Sequence, residues 1–314
     1  MAVGITEETA RAAQSSRGSA PVGRRRQWNH VLFLLPFLVP FVLFYLVPIG
    51  YAMWQSLFKI ERVGGTFGRR REVFAGLDQY QAVFSDEAFR RSVGRVLLFG
   101  AVQVPVMLTL ALVLALLLDS TVARMKKFFR MAFFVPYGIP GVIAALMWAF
   151  LYDDRLSPIV DVMKNAGFSP AFLSSDWILW SIANVVTWTY TGYNMLIIYS
   201  ALQAIPHDIY EAARIDGAGG FAIAWRIKVP IVMPAIVLTA VFSIIGTLQL
   251  FTEPQVFRAI STSVTSTYTP NIAAYSVASS NNYSFAAAMS VTLALATFIL
   301  SFSFLKMTQR RSEP

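Results

Sequence analysis

Two runs of residues carry types that could hold a solute. Val186, Thr189, Tyr190 and Tyr193 recur at helical spacing, with Trp188 nearby. Phe242, Ile245, Gly246, Gln249 and Glu253 recur at spacings of three and four and would share one helical face. Aromatic rings stack against the C–H faces of sugar rings, and amides or carboxylates bond hydroxyls. The two faces together therefore suit a path for a neutral saccharide. At any single position, ordinary helix packing or an interfacial belt of Tyr and Trp accounts for the same residue. Nothing points to bond-making chemistry. The chain has no GxxxxGK[ST] phosphate loop, no HExxH and no GxSxG. Asp153 and Asp154 adjoin the end of an apolar run, where a solvated interface explains them. With no cysteine and two histidines, neither a thiolate nor a His-rich metal site can form. The expectation is a chain with no catalytic residues, no metal and no bound cofactor.

A third group lies in a charge-bearing insert between two apolar runs. Pro206 and Asp208 suit a helix start, because proline is tolerated in a first turn and a carboxylate there meets the positive end of the dipole. Ile209, Ala212, Ala213 and Asp216 fall at helical spacing, which offers a face with two alanines outward or to a partner. Glu211 and Arg214 can pair across one turn. Gly217 then ends the helix, since glycine takes the left-handed C-cap conformation without strain. A second short helix over 221–228 follows, and Pro230 and Pro234 mark the return to apolar sequence.

The elements that must position these groups are membrane helices. Hydrophobic residues make up 56% and charged residues 14%, against roughly 45–50% and 25% in a soluble domain; mean hydropathy is +0.57. Six runs are each long enough for a bilayer core of about 30 Å: 31–58, 96–118, 131–152, 177–203, 231–252 and 285–305. Inside lipid the backbone must bond to itself, so these are read as helices, with kinks at prolines 36, 40, 48, 105, 136 and 140. Residues 1–27 are polar and small and read as a disordered tail, leaving 28–314 as one transmembrane domain. With both termini inside, the inner tails and loops hold 15 of the 26 Lys and Arg. The net charge of +9 is thus explained by positive-inside topology rather than by nucleic acid.

The spacing Glu211-Ala212-Ala213, Asp216-Gly217, Ile227, one residue, Val229-Pro230 resembles the EAA loop of permease subunits of binding-protein-dependent ABC importers, with valine at 229 where the family has leucine. Tyr193-Asn194-Met195, Leu202 to Pro206 and Gly76-Leu77-Asp78-Gln79-Tyr80 are similar to the carbohydrate branch of those permeases. Leu250 to Gln255 looks like disaccharide permeases of the lactose and cellobiose kind. The resemblance implies an all-α, polytopic type I importer permease with six transmembrane helices in the cell membrane. Its loop 206–230 would dock a separate ATPase through Glu211, Ala212, Ala213, Asp216, Gly217, Ile227 and Pro230. It implies a second permease subunit, two ATPase subunits carrying ATP and Mg, and an external sugar-binding protein that the uncharged stretch 261–284 could touch. Tyr193 matches a tyrosine of the larger maltose permease, and Gln249 is the one amide retained in type there. Alternatives are an ABC permease for another solute and an ion-coupled transporter using Glu253.

Overall fold

The computed structural model describes residues 25–63, 69–120 and 122–309. The chain divides after Tyr51 into two units. The described part of the first is helical. Helix α1 (Arg25–Phe41) passes through Pro36 and Pro40, and a π turn (Val42–Leu46) leads to α2 (Val47–Gln55), which continues into the second unit. The expected tail 1–27 lies outside the described residues up to 24, and helix begins already at Arg25.

The second unit opens with something the all-helical expectation lacks. An antiparallel hairpin pairs β1 (Phe58–Val63) with β2 (Arg69–Phe74), in register from Phe58↔Phe74 to Val63↔Arg69. A lone two-stranded hairpin is marginal in water, and this one is braced at its base. Phe58 meets Phe74 edge-on at 5.6 Å, and the Gln55 amide donates to Glu72 at 2.9 Å and to Ser284 at 3.0 Å. Lys59 reaches Glu61 and Asp78 at 3.1 and 3.5 Å, and those carboxylates raise its pKa. The Gly-Leu-Asp-Gln-Tyr stretch leads into α3 (Asp78–Ser85), tied back by Tyr80 to Ser56 and by Gln79 to the Phe58 carbonyl.

Helix α4 (Glu87–Asp119) is the longest, at 33 residues. Asp86 caps it, accepting the Phe89 N–H at 2.9 Å. Next comes a sharp bend at Pro136 and Pro140, where the third run is expected to kink. Helix α5 (Lys126–Phe134) tightens into a 3-10 turn (Val135–Gly138), and α6 (Gly141–Tyr152) leaves at 96°. Proline chemistry explains the break. Ile139 precedes Pro140 and is driven to extended dihedrals, φ −82° and ψ 127°, because a helical conformation would clash with the proline ring.

Helix α7 (Pro158–Asn165) precedes α8 (Ile178–Gln203), which packs against α4. The charged insert forms α9 (His207–Ile215) and α10 (Gly220–Ile223). A π turn (Ala224–Lys228) and α11 (Val229–Ile231) carry it into α12 (Met233–Leu248). Helix α13 (Thr252–Arg258) follows a break, and α14 (Pro270–Ser279) and α15 (Tyr283–Gln309) complete the chain.

Among the described residues, four helices are long and apolar enough to cross a membrane: Leu32–Gln55, Glu87–Asp119, Met233–Arg258 and Tyr283–Thr308; the bent pair makes a fifth. The count of six is not reached, because α8 is long enough but too polar. Its Ser181, Thr189, Thr191 and Asn194 are buried inside the protein, where lipid-like character is not required.

Candidate functional site

Most of the two runs expected to form a solute path meet at one cavity of 280 Å³, where α8 and α12 face the bend after α5. Tyr190, Tyr193 and Val186 come from α8, and Phe242 and Gly246 from α12. Gln249, Phe251 and Glu253 come from the break beyond it. The second run is therefore not one continuous helical face. Helix α12 stops at Leu248, and Glu253 enters from the first turn of α13. A carboxylate in a first turn is favoured by the helix dipole, and Glu253 is only 8% exposed.

Two residues of the expected path do not line this cavity. The Thr189 hydroxyl is turned back to the Val185 carbonyl at 2.9 Å, which satisfies it within its own helix. Ile245 faces a separate groove between α12 and α15. Trp188 packs edge-on against Trp148 at 5.7 Å.

The structure adds residues that sequence spacing alone did not single out. Tyr137, on the 3-10 turn, stacks on Tyr193 at 4.6 Å with planes 17° apart and meets Tyr190 edge-on at 5.9 Å. Three phenol rings from two elements thus form one wall. Gln103 enters from α4; its amide nitrogen reaches Thr187 and Met107, and its carbonyl oxygen is buried without a partner. Asn194 also lines the cavity and donates to the Tyr190 carbonyl at 3.1 Å. Only an aromatic ahead of a proline-rich break hinted at Tyr137. No lysine, arginine or histidine is among the lining residues.

Close approach makes the wall possible. A Cβ on Gly192 would lie 1.7 Å from the Phe133 carbonyl oxygen, so only glycine lets α8 press its backbone against the end of α5.

The second site is the charged insert. Helix α9 turns Tyr210 and Ala213 inward, against a cluster with Leu118, Ile198 and Leu202. This corrects the expectation that both alanines face outward. Ala212 is exposed with Glu211 and Asp216, whereas Ala213 is buried in the protein's own core. Among the described ion pairs none joins Glu211 to Arg214. Gly217, at φ +83°, closes the helix in a Schellman motif, with Ala218 N–H on the Ala213 carbonyl at 2.9 Å and Gly217 N–H on Arg214 at 3.0 Å. Ile227 is half-buried against the same cluster, and Pro230 is exposed. Ile215, Phe221 and Trp225 stand out at 87%, 84% and 62% exposure. Burial raises the Tyr210 pKa, with the Asp119 charge adding to it.

A polytopic helical membrane protein with an internal aromatic cavity and a partly exposed two-helix insert is built like a solute transport component. A family model described as "Binding-protein-dependent transport system inner membrane component" matches residues 107–312, and the chain belongs to that family. Its kind is a transport component rather than an enzyme. The lactose transport system permease protein LacF of Rhizobium radiobacter is 31% identical, over 92% of this chain and 96% of its own length. The diacetylchitobiose uptake system permease protein NgcF of Streptomyces coelicolor is 28% identical, over 94% and 88%. The sn-glycerol-3-phosphate transport system permease protein UgpA of Yersinia pseudotuberculosis is 31% identical, over 66% and 69%. The fold matches a chain in the crystal structure of a bacterial ABC transporter that imports the acidic polysaccharide alginate, with a TM-score of 0.78 over 91% of this chain and 96% of that one, at 19% identity.

Proposed function

We propose that this chain is the membrane-spanning subunit of an ATP-driven importer for a neutral di- or oligosaccharide. The observation that carries the reading is the cavity itself. Tyr137, Tyr190 and Tyr193 offer aromatic faces, Gln103, Asn194 and Gln249 offer amides, and the one charge on the lining is the Glu253 carboxylate. A carboxylate with no cation beside it repels anions across a low-dielectric interior. That favours the neutral sugars named for the lactose and diacetylchitobiose relatives over the anions named for the glycerol phosphate and alginate systems.

The chain would cross the membrane six times, with the bent α5–α6 pair as the third crossing and α8 as the fourth, and both termini in the cytoplasm. Buried by its neighbours, α8 needs no apolar surface on every side. The insert α9–α10 then lies on the cytoplasmic side and meets a separate ATPase, which binds ATP and Mg. Its exposed Glu211, Ala212 and Asp216 and the apolar Ile215, Phe221 and Trp225 supply the contact. A second permease subunit completes the pathway, a second ATPase docks beneath it, and an external binding protein delivers the sugar.

The test is purification of the native complex and its reconstitution into liposomes with the binding protein. ATP hydrolysis stimulated by a neutral saccharide, with that saccharide taken up, is the expected result. Stimulation only by a phosphorylated or uronate sugar would sink the neutral reading. A chain that copurifies with no ATPase would sink the importer reading.

A further inference from the structure

Four ion pairs are formed among the described residues, and three are solvent-exposed at one or both partners. The fourth is different. Lys228 bonds Asp119 with side chains only 14% and 9% exposed. Asp119 is the last residue of α4, and its second carboxylate oxygen accepts from the Gln203 amide, at the end of α8, at 2.6 Å. The Lys228 ammonium also lies 4.8 Å from the centre of the Tyr210 ring, on α9. Lys228 itself ends the π turn that runs through α11 into α12. Helices α4 and α8 therefore meet at one carboxylate, and Lys228 links it to the start of α11–α12 and to the Tyr210 ring of α9. Ile227 and Val229 flank this lysine in the EAA-like spacing, but that spacing leaves position 228 open.

We propose that Asp119 and Lys228 are positioning residues that lock the α9–α10 insert to α4, so that movement of the insert becomes movement of the cavity wall. The inference rests on the importer reading above and assigns the joint through which its force passes. The physical argument is rigidity. An exposed pair holds nothing firmly. A buried pair adds little net stability over apolar packing, yet leaves an uncompensated charge if one partner goes, so it tolerates only one arrangement. With one Asp119 oxygen held by Gln203 on α8, the carboxylate is fixed for Lys228, and the insert cannot tilt away from α4 without breaking that ion pair. Gln103, on the same helix as Asp119, reaches the cavity, so α4 connects joint and solute directly.

The experiment uses the full complex in liposomes and reads sugar taken up per ATP hydrolysed. Lys228→Met and Asp119→Asn should each lower that ratio about tenfold, within the usual range of coupling effects, while hydrolysis continues. Lys228→Arg should hold it near the wild-type value, and the exchanged pair Asp119→Lys with Lys228→Asp should recover most of it. A merely structural role would reduce the amount of complex and leave the ratio unchanged, and that result overturns the proposal. So does an exchanged pair no better than the single variants. If Lys228→Met does not assemble, Gln203→Leu keeps the ion pair and removes one bond. It should lower the ratio about fivefold, the lower end of the same range, and no change would equally overturn the proposal. A wild-type complex without sugar-stimulated hydrolysis would instead refute the importer reading, so the two failures are distinguishable.

Discussion

Replacing Gly192 by alanine puts a methyl group 1.7 Å from the Phe133 carbonyl oxygen, 2.5 Å from its carbon and 3.0 Å from the Phe134 nitrogen. To bring the shortest of these to 3.0 Å, α8 and the end of α5 must part by at least 1.3 Å. The atoms met are backbone, so no rotamer change relieves the contact. Overpacking of a core costs about 1–3 kcal/mol where side chains can yield, and more where they cannot. We therefore expect a loss of about 3 kcal/mol or more, close to a hundredfold in the affected equilibrium. The displacement also carries Tyr137 away from Tyr193, whose rings now stand 4.6 Å apart, and so opens one wall of the cavity. Thermal unfolding of the purified chain in detergent, followed by intrinsic fluorescence, should fall by about 5 °C or more, and sugar uptake by the complex should weaken. Gly100→Ala is the control. Its Cβ would meet a side-chain atom, the Thr247 methyl at 2.9 Å, and should cost about 1 kcal/mol. A Gly192→Ala protein that melts and transports like wild type would refute the close-approach argument.

Other outcomes follow from the same geometry. Glu253→Gln removes a charged acceptor from the cavity, and half-saturation for uptake should rise roughly 10–100-fold, the worth of a hydrogen bond to a charged group. An unchanged value would remove Glu253 from the solute path. Gly217→Ala should cost about 1–2 kcal/mol for a left-handed residue, with Gly217→Val worse. In both, uptake per ATP should fall more than binding of the ATPase, and intact transport in the valine variant would count against a rigid insert. Burial pushes the Tyr268 phenol up to about 12, although the Arg95 guanidinium opposes the shift. Because the folded value lies above the ordinary 10.0, this group's contribution to stability is complete below pH 10 and lost as pH climbs towards 12. An ultraviolet difference titration of the protein against Tyr268→Phe checks it, and ionisation near pH 10 would contradict the burial.

The insert was the most legible part of the chain, because Pro206, Asp208 and Gly217 are local signals whose meaning does not depend on distant contacts. Helical spacing likewise grouped Tyr190, Tyr193, Phe242 and Gly246 correctly in space. It failed at Ile245, which faces the groove between α12 and α15, and it reached Gln249 and Glu253 although the helix stops at Leu248, because the chain beyond the break still lines the cavity. Which alanine faces out is decided by what α9 packs against, so Ala213 could not be placed from spacing. The hairpin escaped notice because β1 alternates over only four residues, Phe58 to Glu61, β2 is mostly charged, and the bracing residues Gln55 and Ser284 lie far apart in sequence. Gly192 looked like any glycine within a helix; the carbonyl it admits belongs to a segment 59 positions earlier by the numbering of Phe133.

The polarity of α8 has a consequence for how the protein is made. A segment entering the bilayer during synthesis is sorted by its own apolarity, and this one falls short. Its threonines, asparagines and tyrosines are tolerable in lipid only once neighbouring helices cover them. The earlier α4 is apolar enough to enter unaided and presents the surface against which α8 packs. On the six-crossing reading proposed above, biogenesis then has a built-in order, in which α8 is admitted to the membrane as the guest of a helix already standing there.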